Sequence, residues 1–378
     1  MLDFTSALYL GPQALPPPPP GLALTTGRPA VLTQDDRAHW AAHTVAQRQG
    51  LEAGEMAPST LHLFWDVLAL VPPRGVVLLD ERLYPVGQWG SLRARLRGLP
   101  VVKFQSDNLP GLAGLLHTYR QQGRTPWLLT DGWLPGRGPA PLAQYHALLA
   151  PCPGAVLLVD DTQAFGVLGG RPCPSRPLGQ GGGGLLPWAG VAPHAPGPEL
   201  LTISSLAKGL GVPVAVLAGC AARIAQFRRR AETRVHTSPV SAWHAWAAAA
   251  ALRHDARHGE AARQRLCSRI GRFRGALKRV GLTPRGGFFP VQKLVLARTT
   301  AALGLHQQLR RAGLNTLLLA GETRPGVPEV AFCLRADHTD ADLGRATAAL
   351  AQLARRTHWF SPPSIAFRHE FDPDAFAP

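Results

Sequence analysis

The sequence predicts an α/β protein in which helices cover both faces of a mainly parallel β-sheet, followed by a smaller α+β unit. The first observation is that short apolar runs alternate with amphipathic stretches between residues 75 and 220. The second is that these runs lack polar–apolar alternation, which is typical of strands buried on both faces. The third is a hydrophobic content of 46% with 17% charged residues, which allows a large core and excludes wholesale disorder.

The elements of the sheet follow from these patterns in chain order. The predicted strands are residues 76–79, 101–104, 127–129 and 155–159, a strand at residue 200, and residues 213–217. Helical spacing predicts helices over residues 60–68, 89–96, 109–120 and 141–149. Gly and Pro interrupt the pattern over residues 169–198, which we interpret as a surface excursion because strands resume directly after it.

The N-terminal segment is predicted to be irregular over its first thirty residues. Residues 16–20 are five consecutive prolines, which can only be extended or polyproline-like. Thr33 and Asp36 resemble a capping box, so the first helix is expected to start there and to end near Gly50. The chain start carries Asp3 and has no basic region, so it is a poor signal peptide.

The second half of the chain is expected to hold one long helix and a small domain. The pattern predicts a helix over residues 241–279, a strand over 291–296, a helix over 300–312, strands near 317 and 330, and a helix over 341–353. We divide the chain into an N-terminal segment (1–50), a large domain (51–250), a small C-terminal domain (251–360) and a tail (361–378), which fits a length of 378 residues at roughly 150 residues per domain.

The charge and cysteine content narrow the range of partners. Net charge is +16, but four of the forty basic residues are lysine and the rest arginine, a bias typical of a GC-rich genome. The arginines at 228–234 and 263–279 are interleaved with a single aromatic residue, Phe273. We therefore interpret them as solvated helix faces and expect no nucleic-acid partner. No apolar run reaches the ~18 residues of a membrane span. Five isolated cysteines favour neither disulfides nor a metal site, and predict a reducing cytoplasm.

One segment displays a single lysine in a turn of small residues. Residues 204–213 lead from an apolar strand into a turn that carries Lys208 between small residues and glycines. Such residues let a bulky ligand approach the backbone closely. Lys208 is therefore a candidate Schiff-base lysine, with an ordinary exposed loop lysine as the alternative.

A second segment places two acids at the end of an apolar strand. Asp160 and Asp161 follow residues 156–159, and ligands bind at the carboxyl ends of strands in an open parallel sheet. A carboxylate there can pair with the pyridinium nitrogen of pyridoxal phosphate (PLP) and so keep the ring an electron sink. Metal binding and a helix cap are the alternatives.

Together these segments resemble PLP-dependent enzymes of the aspartate aminotransferase fold, most closely the α-oxoamine synthases in their 8-amino-7-oxononanoate synthase group. The similarity covers about residues 50 to 355. The matching motifs are residues 130–132 with 140–142, 157–169, 198–211, 268–277, 323–328 and 336–338. The resemblance implies a PLP-dependent transferase of fold type I, whose large domain has a mainly parallel seven-stranded sheet.

The resemblance also assigns roles around the cofactor. Lys208 would hold PLP as a Schiff base and move the α-proton of the substrate. Asp160 would pair with the pyridine nitrogen, and Arg324 would hold the substrate carboxylate through its planar guanidinium. Phosphate contacts would come from Ser205 and from three residues at a helix start, namely Ser59, Thr60 and Leu61.

The resemblance further implies a homodimer. Thr237 and Ser238 match a pair of hydroxyl residues that reach the phosphate of the partner subunit's cofactor. The substrates would be an amino acid and an acyl-CoA or acyl-carrier thioester.

The sequence departs from the family pattern at several positions. The histidine that stacks on the cofactor ring is replaced by Tyr84, and the histidine three residues after the strand aspartate is Gln163. Gln163 can still hydrogen-bond the ring hydroxyl, but it cannot carry a proton. Pro135 replaces a serine, and a later arginine near the substrate carboxylate is absent. These changes are compatible with cofactor binding, but they weaken the prediction that the protein condenses an amino acid with an acyl thioester.

Three functions are therefore compared. The leading one is an α-oxoamine synthase, which condenses an amino acid with an acyl thioester and releases CO2. The alternative is an aminotransferase, because tyrosine stacking and one lysine suffice for a 1,3-proton shift. The third is a regulator or binding module of the same fold without chemistry, against which Lys208 and Asp160 argue.

Overall fold

The structure is a computed structural model of the chain. It describes residues 1–33, 35–193, 195–321, 324 and 326–356. The predicted tail at 361–378 lies outside the described residues. The elements in chain order are β1 (Leu2–Asp3), α1 (Asp36–Arg48), β2 (Ala53–Ala57), α2 (Thr60–Leu68), β3 (Gly75–Asp80), α3 (Pro85–Leu96), β4 (Val101–Phe104), α4 (Leu109–Gln121), β5 (Thr125–Asp131), β6 (Trp133–Leu134), β7 (Gly138–Pro139), α5 (Leu142–Leu149), β8 (Val156–Asp160), α6 (Leu185–Trp188), β9 (Glu199–Ser205), β10 (Ala215–Gly219), α7 (Ala221–Arg230), α8 (Glu232–His236), α9 (Ala242–Lys278), β11 (Val291–Leu294), α10 (Thr299–Arg311), β12 (Leu314–Asn315), β13 (Leu317–Leu319), β14 (Glu329–Cys333) and α11 (Asp340–Arg356).

The predicted sheet is confirmed and has seven strands in the order β2-β10-β9-β8-β5-β3-β4. Strand β10 is antiparallel to both of its neighbours, and the other pairings are parallel. Along β3, Val76 and Leu78 join one apolar cluster while Val77 and Leu79 join another. Alternate side chains of a strand point to opposite faces, so both faces of this strand are covered, as its unbroken apolar run predicts.

A second sheet is built from β11, β14 and β13, all antiparallel. Helices α10 and α11 accompany it, and α11 also packs on α9. The first residues of the chain join this unit, because β1 runs parallel to β12 and the Cys333 amide donates to the Phe4 carbonyl at 2.8 Å. The prediction that the first thirty residues are irregular is therefore wrong at β1.

Three other expectations need correction or stay open. Helix α1 is capped by Asp35, whose side chain accepts from the amides of Arg37 and Ala38, and not by Thr33. The segment 169–198 is no surface excursion, because Leu178, Leu186 and Trp188 are buried in the core. Helix α9 runs without interruption across the expected boundary at residue 250, and the domain division stays a prediction.

Candidate active site

The carboxyl ends of β5 and β8 bring two aspartates side by side. Asp131 and Asp160 are the last residues of these strands and are register partners in the parallel pair. Lys208 follows in the turn after β9, the next strand along the sheet. Its amine interacts electrostatically with both carboxylates. The structure thus joins Lys208 and Asp160, which the sequence predicts as partners, and adds Asp131.

The turn that carries Lys208 is fixed by contacts to the loop after β8 and to the residues just before β10. The Ser205 amide donates to Thr162 Oγ1 at 3.0 Å, and the Leu206 amide donates to the Val214 carbonyl at 2.8 Å. A Cβ at residue 209 would lie 2.5 Å from the Phe165 carbonyl oxygen, and Gly211 has φ +71°. Glycine at these two positions is therefore required by close approach and by positive φ.

Burial controls the charge of the cluster. It lowers the pKa of Lys208, against the opposing effect of the two carboxylates. It raises the pKa of Asp160, opposed by the hydrogen bond from Thr162 and by the charge of Lys208. Burial and the neighbouring Asp160 raise the pKa of Asp131 to about 8. A lysine with a lowered pKa is more readily a neutral amine, which is the nucleophilic form that attacks carbonyl groups.

Asp161 has a different environment from Asp160. Its carboxylate accepts from Gln49 Nε2 at 3.0 Å and from the Leu185 amide at 3.0 Å. Burial raises its pKa to about 7. These contacts tie Asp161 to α1 and α6, which is a structural role. Within the described ranges, no group of three or more His, Cys, Asp or Glu side chains is arranged to hold a metal ion.

Tyr84 lies at the start of α3 and is tied to the aspartate pair by its backbone. Its amide donates to Asp131 Oδ2 at 3.0 Å, while its side chain is 61% exposed. The phenol ring is therefore not part of the core. Its stacking on the cofactor ring stays a prediction.

Gln163, in the loop after β8, meets a residue that sequence reasoning missed. The Tyr9 hydroxyl donates to Gln163 Oε1 at 2.7 Å, and Tyr9 is fully buried. The Tyr9 ring lies edge-on to Phe289, which in turn stacks on Trp133. No sequence pattern links residues 154 positions apart. Asp131 was visible within a matching motif but was not assigned a role.

The predicted phosphate residues lie at two places. Ser59 is the N-cap of α2, and its side chain bonds His62 Nδ1 at 2.8 Å and caps no helix amide. The first backbone amides of α2, including those of Thr60 and Leu61, therefore receive no capping hydrogen bond from the Ser59 side chain. A helix start with uncapped amides attracts anions. Ser205 Oγ accepts from the Ala207 amide at 3.3 Å in the lysine turn.

The remaining predicted residues are not brought to the lysine within this chain. Thr237 and Ser238 line a pocket of about 360 Å³ together with Pro58. Neither Lys208 nor Asp160 is among the described residues that line this pocket. Arg324 is exposed and donates from Nη1 to the Ala297 carbonyl at 2.9 Å. Its neighbours Thr323 and Pro325 lie outside the described residues. The roles of these three residues stay predictions.

The donor set fits PLP. A partly buried lysine amine stands beside the buried Asp160 carboxylate at the carboxyl edge of a parallel sheet. A helix N-terminus with amides that no side chain caps lies on the same sheet, since α2 packs on β9 and β10. An aldehyde, a pyridine nitrogen and a phosphate are the groups that these three features would bind.

Comparison with known proteins agrees with this geometry. Residues 94–350 match the family model of class I and II aminotransferases. A putative 8-amino-7-oxononanoate synthase of Thermosynechococcus vestitus is 32% identical over 89% of this chain and 80% of its own. An 8-amino-7-oxononanoate synthase of Halorhodospira halophila is 31% identical over 65% of this chain and 58% of its own.

Solved structures support the fold. A serine palmitoyltransferase of Sphingomonas wittichii superposes with a TM-score of 0.79 and 17% identity, over 94% of this chain and 87% of that one. The 8-amino-7-oxononanoate synthase of Francisella tularensis gives 0.70 and 17%, over 94% and 98%.

The fold and the lysine–aspartate pair define a PLP-dependent transferase of fold type I. The chain belongs to the family of class I and II aminotransferases, and PLP is its cofactor. The relatives that it resembles in sequence are 8-amino-7-oxononanoate synthases. No helix among the described residues is both long and apolar enough to cross a bilayer.

Proposed function

We propose that this chain is an α-oxoamine synthase. It joins the α-carbon of an amino acid to the carbonyl carbon of an acyl thioester, with release of the thiol and of CO2. The observation that carries the proposal is the pairing of the partly buried Lys208 with the buried Asp160. The sequence similarity to 8-amino-7-oxononanoate synthases favours this reaction over transamination.

Each residue has a defined task in this proposal. PLP, when bound, withdraws electrons from the substrate α-carbon. Lys208 Nζ would hold the cofactor and, as a free amine, would accept the α-proton of the substrate. Asp160 holds a proton on the pyridine nitrogen, and Tyr84 covers the ring.

The outer contacts complete the assignment. Gln163 donates to the ring hydroxyl, and Ser205 holds the phosphate with the α2 start, formed by Ser59, Thr60 and Leu61. Arg324 holds the substrate carboxylate. Tyr84 and Gln163 replace histidines and transfer no proton near neutral pH, so the proton chemistry rests on Lys208.

Thiol release tests the proposed reaction. Purified protein with PLP is incubated with a panel of amino acids, with and without acyl-CoA, and free CoA and CO2 are measured. We expect both products only when amino acid and acyl-CoA are present together. Keto acid formed from amino acid alone, with pyridoxamine phosphate left on the protein, would identify an aminotransferase instead. A protein treated with hydride to reduce the lysine linkage is the control.

We infer that the working form is a homodimer in the cytoplasm. Helix α3 exposes an apolar face of Trp89, Leu92 and Leu96, and α2, which packs on α3, exposes Leu61. Exposed apolar patches mark interfaces. In the part of the chain that the structure describes, all five cysteines are free thiols, which favours a reducing compartment.

Mixing two inactive variants tests whether the partner subunit contributes Thr237 and Ser238. One variant is Lys208→Ala and the other Thr237→Ala/Ser238→Ala. If Thr237 and Ser238 act across the dimer, a hybrid holds one intact site, and subunit exchange should restore about a quarter of the wild-type activity. If they act within their own chain, every site in the mixture carries a defect and activity stays at the level of the separate variants. Lys208→Ala mixed with wild type is the dilution control.

A further inference from the structure

The N-terminal segment delivers one fixed hydroxyl to the loop that follows Asp160. Tyr9 is 1% exposed, and its backbone is held from both sides, because its amide donates to the Ala7 carbonyl at 2.8 Å and its carbonyl accepts from the Ala336 amide at 2.9 Å. Its ring lies 5.7 Å from that of Phe289, at 70°. The position of the hydroxyl is therefore set by packing before any ligand binds.

In the structure that hydroxyl holds the Gln163 amide by its oxygen. A glutamine side chain ends in an acceptor oxygen and a donor nitrogen, and a half-turn about its last bond exchanges them. The Tyr9 hydroxyl donates to Oε1, so Nε2 is left on the other side. Among the residues that the structure describes, the Gln163 side chain makes no other hydrogen bond. Its donor is free for a ligand.

We propose that Tyr9 is a positioning residue: it fixes the Gln163 amide so that Nε2 donates to the ring hydroxyl oxygen of PLP. This inference rests on the proposed function, because it assumes that PLP binds between Lys208 and Asp160. With Oε1 bonded to Tyr9, glutamine at this position presents its donor nitrogen to the ligand.

The environment of Tyr9 supports its donor role. Burial, together with the Cys333 thiol, raises the pKa of Tyr9 well above that of an ordinary tyrosine. The phenol therefore stays protonated over the working pH range and does not become a phenolate, which could accept only. Leu8, the preceding residue, lies against Gly211, because a Cβ added at Gly211 would be 3.3 Å from Leu8 Cδ2. The same segment therefore also packs on the lysine turn.

The test is Tyr9→Phe, which removes the hydroxyl and keeps the ring. PLP is added to the full-length protein, and its visible absorption is recorded against pH and against PLP concentration. Without an oriented donor, the ring oxygen holds the proton that it shares with the lysine nitrogen more tightly. We expect the pH midpoint of the visible band to rise by about 0.5–1 unit and the Kd of PLP to rise roughly three- to tenfold.

Two controls separate positioning from general damage. Tyr145→Phe removes the hydroxyl of another buried tyrosine, which bonds the Ser106 carbonyl at 3.3 Å, and should leave the midpoint unchanged. In a Gln163→Ala background, Tyr9→Phe should add no further shift. An unchanged midpoint and Kd in Tyr9→Phe, or an equal shift in both backgrounds, overturns the proposal.

The outcomes remain informative if a variant or the proposed function fails. If Tyr9→Phe does not fold, Gln163→Met removes the same donor and should shift the midpoint equally; an unshifted midpoint there also overturns the inference. If wild-type protein gives no lysine-dependent visible band with PLP, the proposed function itself is wrong, and that result is seen before any Tyr9 variant is compared.

Discussion

Replacement of Lys208 by alanine should abolish turnover, with a fall in kcat of at least roughly 10⁴-fold. The amine is both the group that attaches the cofactor and the base that moves the α-proton, so one substitution removes two roles. The measurements are product formation, and the mass of the protein after PLP binding and hydride reduction. Wild-type protein should gain the mass of the reduced cofactor, and the variant should not.

Lys208→Arg separates the chemistry of the amine from its charge. Arginine keeps a cation beside Asp131 and Asp160, but a guanidinium stays protonated and does not attack an aldehyde near neutral pH. We expect Lys208→Arg to be as inactive as Lys208→Ala. Lys103→Ala, at an exposed residue that bonds Gln88, should behave like wild type. Turnover by either Lys208 variant above a hundredth of the wild-type rate would contradict the assignment.

The fold was predictable where local pattern and tertiary demand agree. Strand β3 has an unbroken apolar run, and an apolar cluster buries each of its two faces. Strand β2 was missed because its sequence, Ala-Gly-Glu-Met-Ala, has no β-branched or aromatic residue. It is extended because it pairs with β10 along its whole length. That pairing joins residues more than 150 positions apart, which no local window contains.

The site divides in the same way. Lys208 and Asp160 were predicted because each follows an apolar strand, and such strand ends are where open parallel sheets bind ligands. Tyr9 could not be predicted, because it reaches Gln163 only through the packing of the N-terminal segment on β12 and β14. The segment 169–198 was misjudged because its Gly and Pro residues suggested exposure, while its leucines and Trp188 fill the core.

The strand pattern alone does not distinguish the two adjacent acids, although the family resemblance assigns the pyridine nitrogen to Asp160, and the structure separates them. Asp160 faces Lys208, whereas Asp161 is bonded to Gln49 and to the Leu185 amide. Successive residues at a strand end point to opposite sides. Only one of the two can therefore meet the cofactor, and this difference provides a matched pair of variants.

Asp160→Asn should lower kcat/KM by roughly 10²–10³-fold. The amide has nearly the shape of the carboxylate and can still accept from the Thr162 amide, which bonds Asp160 Oδ1 at 3.0 Å. It carries no negative charge, so it does not hold a proton on the pyridine nitrogen, and the ring withdraws electrons less strongly. The measurements are kcat/KM with amino acid and acyl-CoA, and the Kd of PLP, which should also rise.

Asp161→Asn is the control, with the opposite expectation. Burial raises the pKa of Asp161 to about 7, so asparagine removes a charge that burial already disfavours, and its Oδ1 can keep one of the two accepted hydrogen bonds. A carboxyl with a raised folded pKa contributes stability below its unfolded pKa and loses it as pH rises through the folded value. The Tm of Asp161→Asn relative to wild type should therefore increase from about pH 4 to pH 7 and level off above that, with activity within several-fold of wild type. Equal losses of activity in the two variants would mean that Asp160 acts by supporting the fold, and the assignment of the pyridine partner would fail.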